Sequence, residues 1–219
     1  MLKVKPLIKI CGITNIEQAL KIAELGVDAI GVISVRESPR YVSTKNKEAI
    51  FKNLKKFHPS IKRVSVLKNL SLEIISANFI DSENVIQLHG DEDIEYCKSL
   101  KREIPQIELW KAFRIKERED LEKIKCFSDY IDVFLLDSWN KYTYGGSGIR
   151  IESKYLKGLK FTNPWFLAGG ISIDWIEYII KDIKPDGIDI SSSIESFPGE
   201  KDIEKTIQLL NEIKKLKRK

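Results

Sequence analysis

Apolar and polar positions fall in alternating blocks along this chain. Short runs rich in Ile, Val, Leu and Phe are each followed by a longer stretch in which apolar residues recur three or four apart. The first kind of block predicts a strand buried on both faces, and the second an amphipathic helix. "PLIKIC" leads to "NIEQALKIAELG", "VDAIGVIS" to "NKEAIFKNLKKF", and "IKRVSVL" to "LEIISANFI". "NVIQLHG" leads to "DEDIEYCKSLKRE", and "IELWKAF" to "KEREDLEKIKCF". "DYIDVFLLD" leads to a glycine-rich loop and a weak helical stretch, "NPWFLAGG" to "SIDWIEYIIKDI", and "PDGIDISS" to "EKDIEKTIQLLNEIKKL". Asn15 is placed to cap the first helix and Gly26 to stop it. In the last helix Ile203, Ile207, Leu210 and Ile213 recur at helical spacing, which predicts its buried stripe.

Eight β-then-α units in 219 residues predict an α/β protein, a single-domain (β/α)8 TIM barrel over 1–219. No linker rich in Pro, Gly or Ser divides them. A doubly wound open sheet is the alternative, but it would more often carry a glycine fingerprint after its first strand, and "CGITN" is not G-x-G-x-x-G. In such a barrel the chemistry gathers where strands end and βα loops begin. Those ends hold Lys9 and Cys11; Arg36 and Arg40; Asn69; Gln87 and His89; Lys111; Asp137; Gly169 and Gly170; and Asp189, Ser191 and Ser192.

Composition changes this picture little. Charged residues are 32% and hydrophobic ones 42%, as in ordinary globular proteins. No apolar run approaches the roughly 20 residues of a membrane span, and the N-terminal stretch lacks the apolar segment of a secretory signal. The net charge of +5 equals the five cations of the tail "KKLKRK", so nucleic acid and membranes are not expected partners. The 3 cysteines are few and widely spaced, which argues against a disulfide framework and for a reducing cytoplasm. With 2 histidines there is no cluster for zinc.

Four features could carry chemistry. Lys9 and Cys11, two apart in a strand, share a face, and a cation so close would lower the thiol pKa and favour thiolate. A small buried hydrophobe is an equal reading of Cys11. Asp137 ends the apolar strand "VFLL", where poor solvation should raise its pKa toward that of a general acid; a loop carboxylate paired with Lys141 is the blander alternative. "LAGGIS" and "DISSSIE", after the seventh and eighth strands, are where (β/α)8 enzymes often bind phosphate, while tight turn geometry also needs glycine. "YGGSG", Tyr144 to Gly148, reads as a turn or as a loop closing over substrate. Arg40 could hold a carboxylate in a forked pair or be a solvated loop residue. His89 reads as a loop or capping residue, and Cys97 and Cys126 as structural thiols.

The ordered set "KICGITN", "SPRYVS", "VIQLHGDE", "FLLDS", "YGGSG", "LAGGIS" and "GIDISSSIESFPGEKD" resembles the phosphoribosylanthranilate isomerase family of tryptophan biosynthesis. The resemblance implies a (β/α)8 barrel and an Amadori rearrangement of N-(5-phosphoribosyl)anthranilate to 1-(o-carboxyphenylamino)-1-deoxyribulose 5-phosphate. It implies that Cys11 is the general base and Asp137 the general acid. Arg40, Gln87 and Asp189 would bind substrate, and Gly169, Gly170, Ser191 and Ser192 its phosphate. No cofactor or metal is implied, and the partner is a small phosphorylated substrate met by a monomer or homodimer. Two departures stand out. The family reads S-S-G after the eighth strand where this chain has Ser193, which a positive φ would strain. "GVISVRESPR" lacks the aromatic residue usual after its glycine, which predicts an altered anthranilate pocket. Other readings are a different sugar-phosphate barrel enzyme, such as the isomerase of histidine synthesis or indole-glycerol-phosphate synthase, and a non-catalytic phosphate-binding barrel.

Overall fold

The computed structural model describes residues 6–78, 81–138 and 150–217. Eight parallel strands close in chain order: β1 Leu7–Cys11, β2 Ala29–Ile33, β3 Lys62–Leu67, β4 Val85–Leu88, β5 Glu108–Ile115, β6 Val133–Ser138, β7 Trp165–Leu167 and β8 Gly187–Ile190. The helices between them are α1 Ile16–Glu24, α2 Thr44–Phe57, α3 Leu72–Asn78, α4 Ile94–Glu103, α5 Arg118–Ile124, α6 Ser153–Leu156 and α7 Ile173–Tyr178, with α8 Ile203–Lys217 last. The (β/α)8 barrel is therefore the architecture of this chain.

Strand alternation sorts side chains into two cores. Ile8 and Ile10 face the helices, whereas Cys11, Val64, Val66, Trp110, Leu135 and Phe166 face the barrel axis. Trp110 and Phe166 pack with ring centroids 4.8 Å apart and plug the interior. Burial of such rings dominates core energetics, and truncating either to Ala would cost about 3–5 kcal/mol. Nearer the strand ends the inward positions turn polar: Lys9, Gln87, Asp137 and Asp189 are all buried.

Local signals act as read. Asn15 accepts from the Gln18 N–H at 2.8 Å and caps α1, and Gly26 follows with φ +81°. Other boundaries move. Glu200–Lys201 does not begin α8 but pairs with Glu195–Phe197 in a small hairpin after a 3-10 turn at Ser192–Ile194. The Pro198-Gly199 turn between them breaks the helix pattern. In α8 the buried stripe runs through Thr206, Leu209, Leu210 and Ile213, and Ile207 lies at its edge, 38% exposed. α7 ends early in a π turn, Ile179–Ile183, closed by Lys184 at φ 57°. Among the described residues no helix is long and apolar enough to cross a membrane.

Candidate active site

The strand ends and βα loops enclose a cavity of about 410 Å³. Cys11 from β1, Gln87 from β4, Asp137 from β6 and Asp189 from β8 all line it. So do Arg40 and the glycine and serine segments after β7 and β8. Lys9 lies beneath, fully buried, with Nζ 2.8 Å from Asp189 Oδ2. The register that sets Lys9 opposite Asp189 in the β1–β8 ladder makes this pair. Arg36, Asn69 and Lys111, also at strand ends, lie outside the cavity wall.

The thiol behaves differently from expectation. Burial pushes the Cys11 pKa up; Lys9 pulls it back, and the Asp189 carboxylate adds to the rise. The net shift is upward, because the charge on Lys9 is shared with Asp189 and desolvation is the larger effect. Burial alone would depress the Lys9 ammonium, but Asp189 and Cys11 outweigh it and hold its pKa above the ordinary lysine value. Cys11 therefore rests as a thiol above a fixed cation. The other two cysteines differ from each other. Cys97 is buried and its thiol is pushed up to about 12 by burial, whereas Cys126 is exposed and packs no core.

Asp137 is 3% exposed, and its Oδ1 accepts from the Ser138 N–H at 2.8 Å. His89 Nε2 stands 3.4 Å from Asp137 Oδ2 without forming a hydrogen bond. That proximity joins the ends of β4 and β6, so His89 is a wall of the site rather than a cap. Gly169, at φ +79°, has no room for a side chain: a Cβ would lie 2.6 Å from Ser138 Oγ and 2.8 Å from Asp137 Oδ1. Its glycine thus protects the placement of the carboxyl as well as the turn. The carboxylate's suggested partner Lys141 and the "YGGSG" loop lie outside the described residues.

The loops after β7 and β8 are each tied to a neighbouring segment, the first to Arg150 ahead of α6 and the second to β1. Arg150 donates to Gly170 O at 3.2 Å and to Ser172 Oγ at 2.7 Å, and stacks 4.9 Å over Trp175. Ser191 Oγ donates to Cys11 O at 3.0 Å. Ser193 belongs to the 3-10 turn and does not take positive φ, so the strain expected there is absent. Where an aromatic residue was missing, Ile33 and Val35 supply an aliphatic wall. No trio of His, Cys, Asp and Glu side chains placed to hold a metal ion occurs among the described residues.

Residues 8–212 match the family profile described as N-(5'phosphoribosyl)anthranilate (PRA) isomerase. The chain belongs to the phosphoribosylanthranilate isomerase family. It is 39% identical over 206 residues to the N-(5'-phosphoribosyl)anthranilate isomerase of Synechococcus elongatus, covering 94% of this chain and 95% of that one. Phosphoribosyl anthranilate isomerase from Thermotoga maritima superposes with a TM-score of 0.85 at 28% identity, over 96% of this chain and 99% of that one. A further solved family member, bound to reduced 1-(o-carboxyphenylamino)-1-deoxyribulose 5-phosphate, gives a TM-score of 0.79 at 28% identity, with coverage of 96% and 99%.

Two residues, Glu195 and Lys201, escaped the reading of the sequence, and a third, His89, has a closer place in the site than expected. His89, read as a loop or capping residue, is in the loop after β4 and also lies against Asp137. Glu195 and Lys201 were passed over, yet together they grip Arg40 and the loop after β8. Their signal was present in "IESFPGEK": two charges flank a Pro-Gly turn directly after the last strand.

Proposed function

We propose that Cys11 and Asp137 are the base and the acid of this chain's isomerase reaction. The enzyme converts N-(5'-phosphoribosyl)anthranilate to 1-(o-carboxyphenylamino)-1-deoxyribulose 5-phosphate, a step of tryptophan biosynthesis. The observation that carries the residue roles is that the two groups line one cavity from β1 and β6, with Arg40 and the loops after β7 and β8 forming its remaining walls.

Protonated Asp137 gives its proton to the ribose ring oxygen. The bond from that oxygen to C1 breaks, and the nitrogen lone pair forms a C1=N iminium. The iminium acidifies the hydrogen on C2, and Cys11 thiolate removes it. The enolamine that results gains a proton at C1 and loses one from the C2 hydroxyl, leaving a ketone, so no proton is consumed overall. General acid and base groups positioned in this way each contribute about 10²–10⁴-fold. Gly169, Gly170, Ser191 and Ser192 receive the phosphate, and Arg40 the anthranilate carboxylate. Gln87 Oε1 and Asp189 Oδ1 are buried polar atoms with no hydrogen-bond partner among the described residues, and both residues line the cavity, which suits them to the sugar hydroxyls. The whole chain, 1–219, acts as one barrel domain, and the scarcity of cysteines fits work in a reducing cytoplasm.

The test is the loss of fluorescence of freshly made phosphoribosylanthranilate with wild type, Cys11→Ser and Asp137→Asn. Turnover that falls about 10²–10⁴-fold in each folded variant is expected. Undiminished turnover in Cys11→Ser would make Cys11 a packing thiol and put the base elsewhere.

A further inference from the structure

Arg40 was expected to offer a forked pair to a carboxylate. One fork is already occupied. Arg40 Nε donates to Glu195 Oε1 at 2.8 Å and Nη2 to Glu195 Oε2 at 2.6 Å. This is the side-on bidentate geometry of a strong charge-assisted pair. The side chains involved are 11% and 4% exposed. Glu195 is held in turn by Lys201, whose fully buried Nζ lies 2.7 Å from Oε1 and also donates to Ser191 O at 3.1 Å.

The route Arg40 takes is fixed as well. It runs across Gly12, where a Cβ would meet Arg40 Cδ at 2.6 Å and Ser191 Oγ at 3.3 Å. Only glycine leaves that path open. Arg40 lines the cavity, whereas Glu195 and Lys201 do not; they stand behind its wall. Two cations and one carboxylate leave this buried cluster with one uncompensated positive charge, and an unmatched buried charge calls for a partner. The guanidinium is planar, with a second fork at its end, formed by Nη1 and the remaining hydrogen of Nη2.

We infer that Glu195, backed by Lys201, is a positioning residue for Arg40: by taking the side-on fork it leaves the end-on fork as the cavity's carboxylate receptor and thereby sets preference for an ortho-carboxylated substrate. This rests on the assignment of Arg40 to the anthranilate carboxylate. Burial raises the Glu195 carboxyl, but Arg40 and Lys201 outweigh that and hold it low, so it stays an anion able to orient the guanidinium. Glu195 also accepts from the Gly199 N–H at 3.2 Å, so it has a rival role in holding the hairpin turn. The experiment must separate the two.

Two stable probes serve: reduced 1-(o-carboxyphenylamino)-1-deoxyribulose 5-phosphate, and its analogue without the carboxyl group. Wild type should bind the first more tightly. Glu195→Gln should weaken the first by roughly ten-fold or more and leave the second nearly unchanged, as expected when a charged hydrogen-bonded group loses its orientation. Its KM should rise while kcat stays. In an Arg40→Ala background Glu195→Gln should cost nothing further, because the two act as one unit. Should Glu195→Gln not fold, Glu195→Asp carries the same test, keeping the charge and losing the reach. Equal weakening of both probes, or an undiminished effect in Arg40→Ala, would overturn the proposal and leave Glu195 a turn anchor. Wild type that binds both probes alike would overturn the role of Arg40 itself.

Discussion

Among the buried lysine–carboxylate pairs of this barrel, two invite comparison: Lys9–Asp189 on the inner face and Lys111–Glu92 on the outer one, each 2.8 Å long. The outer pair is closed. Glu92 Oε1 accepts from the Asn69 N–H at 2.8 Å, Oε2 accepts from the Gly90 N–H at 3.0 Å, and Lys111 adds a bond to Gly90 O at 3.1 Å. The inner pair is open: Asp189 Oδ1 is buried with no hydrogen-bond partner among the described residues, and Lys9 is shared with Cys11. A buried ion pair repays its desolvation only when its remaining atoms are satisfied. The outer pair meets that condition within the protein, tying the loops after β3 and β4 to strand β5. The inner pair meets it only with something in the cavity. Incomplete satisfaction, more than burial or charge, separates the reactive side of the barrel from the supporting one.

Matched carboxylate-to-amide substitutions test that contrast. The largest effect is expected in Glu92→Gln, which strands Lys111 without its counter-ion. It should cost about 3–5 kcal/mol in chemical denaturation, while turnover per folded molecule is little changed. Asp189→Asn should cost less stability, because Cys11 can ionise to balance Lys9. Equal losses in the two variants would break the comparison.

The next effect is on pH dependence. With Cys11 as the proposed base, thiolate is its active form, and its pKa lies above the ordinary thiol value, so the thiolate fraction, read by its ultraviolet absorbance, should climb with pH until that raised pKa is passed. Removing the Asp189 charge removes one of the causes of the rise and frees Lys9, so in Asp189→Asn the climb should move to lower pH. A limb that stays in place would separate Asp189 from the base.

Alkylation gives a smaller, independent reading of the same chemistry. Iodoacetamide at neutral pH should modify exposed Cys126 first, Cys11 slowly, and Cys97 last, as judged by peptide mass. Faster labelling of Cys11 in Asp189→Asn should accompany the pH shift. The smallest effect is expected for Ser193→Gly. Since Ser193 has no positive φ to relieve, substrate affinity should barely move, and stability should fall by at most about 1 kcal/mol. A marked gain in affinity would show that the serine crowds the phosphate.

Much of this was readable from residues alone. Apolar strands alternating with amphipathic helices determine the barrel, and the two-residue spacing of Lys9 and Cys11 determines that both share a face, which the closed sheet turns inward. What escaped depends on closure and on depth. Arg40 meets Glu195 across 155 positions, and no local pattern announces such a meeting. The direction of the Cys11 shift turned on how deeply the thiol is buried, which spacing does not report. Glu200 and Lys201 fit a helical pattern, and only the turn before them diverts them into a hairpin.

The seam between the first and last strands has a consequence in time. Lys9 on β1 finds its partner 180 residues later on β8, and the hydroxyl on Cys11 O comes from Ser191. During synthesis Cys11 leaves the ribosome early, but the surroundings that tune it arrive with the final strand. A chain interrupted before β8 would hold the proposed base and acid without the partners that β8 brings to them. The proposed site is therefore completed only when the circle closes, near the end of translation.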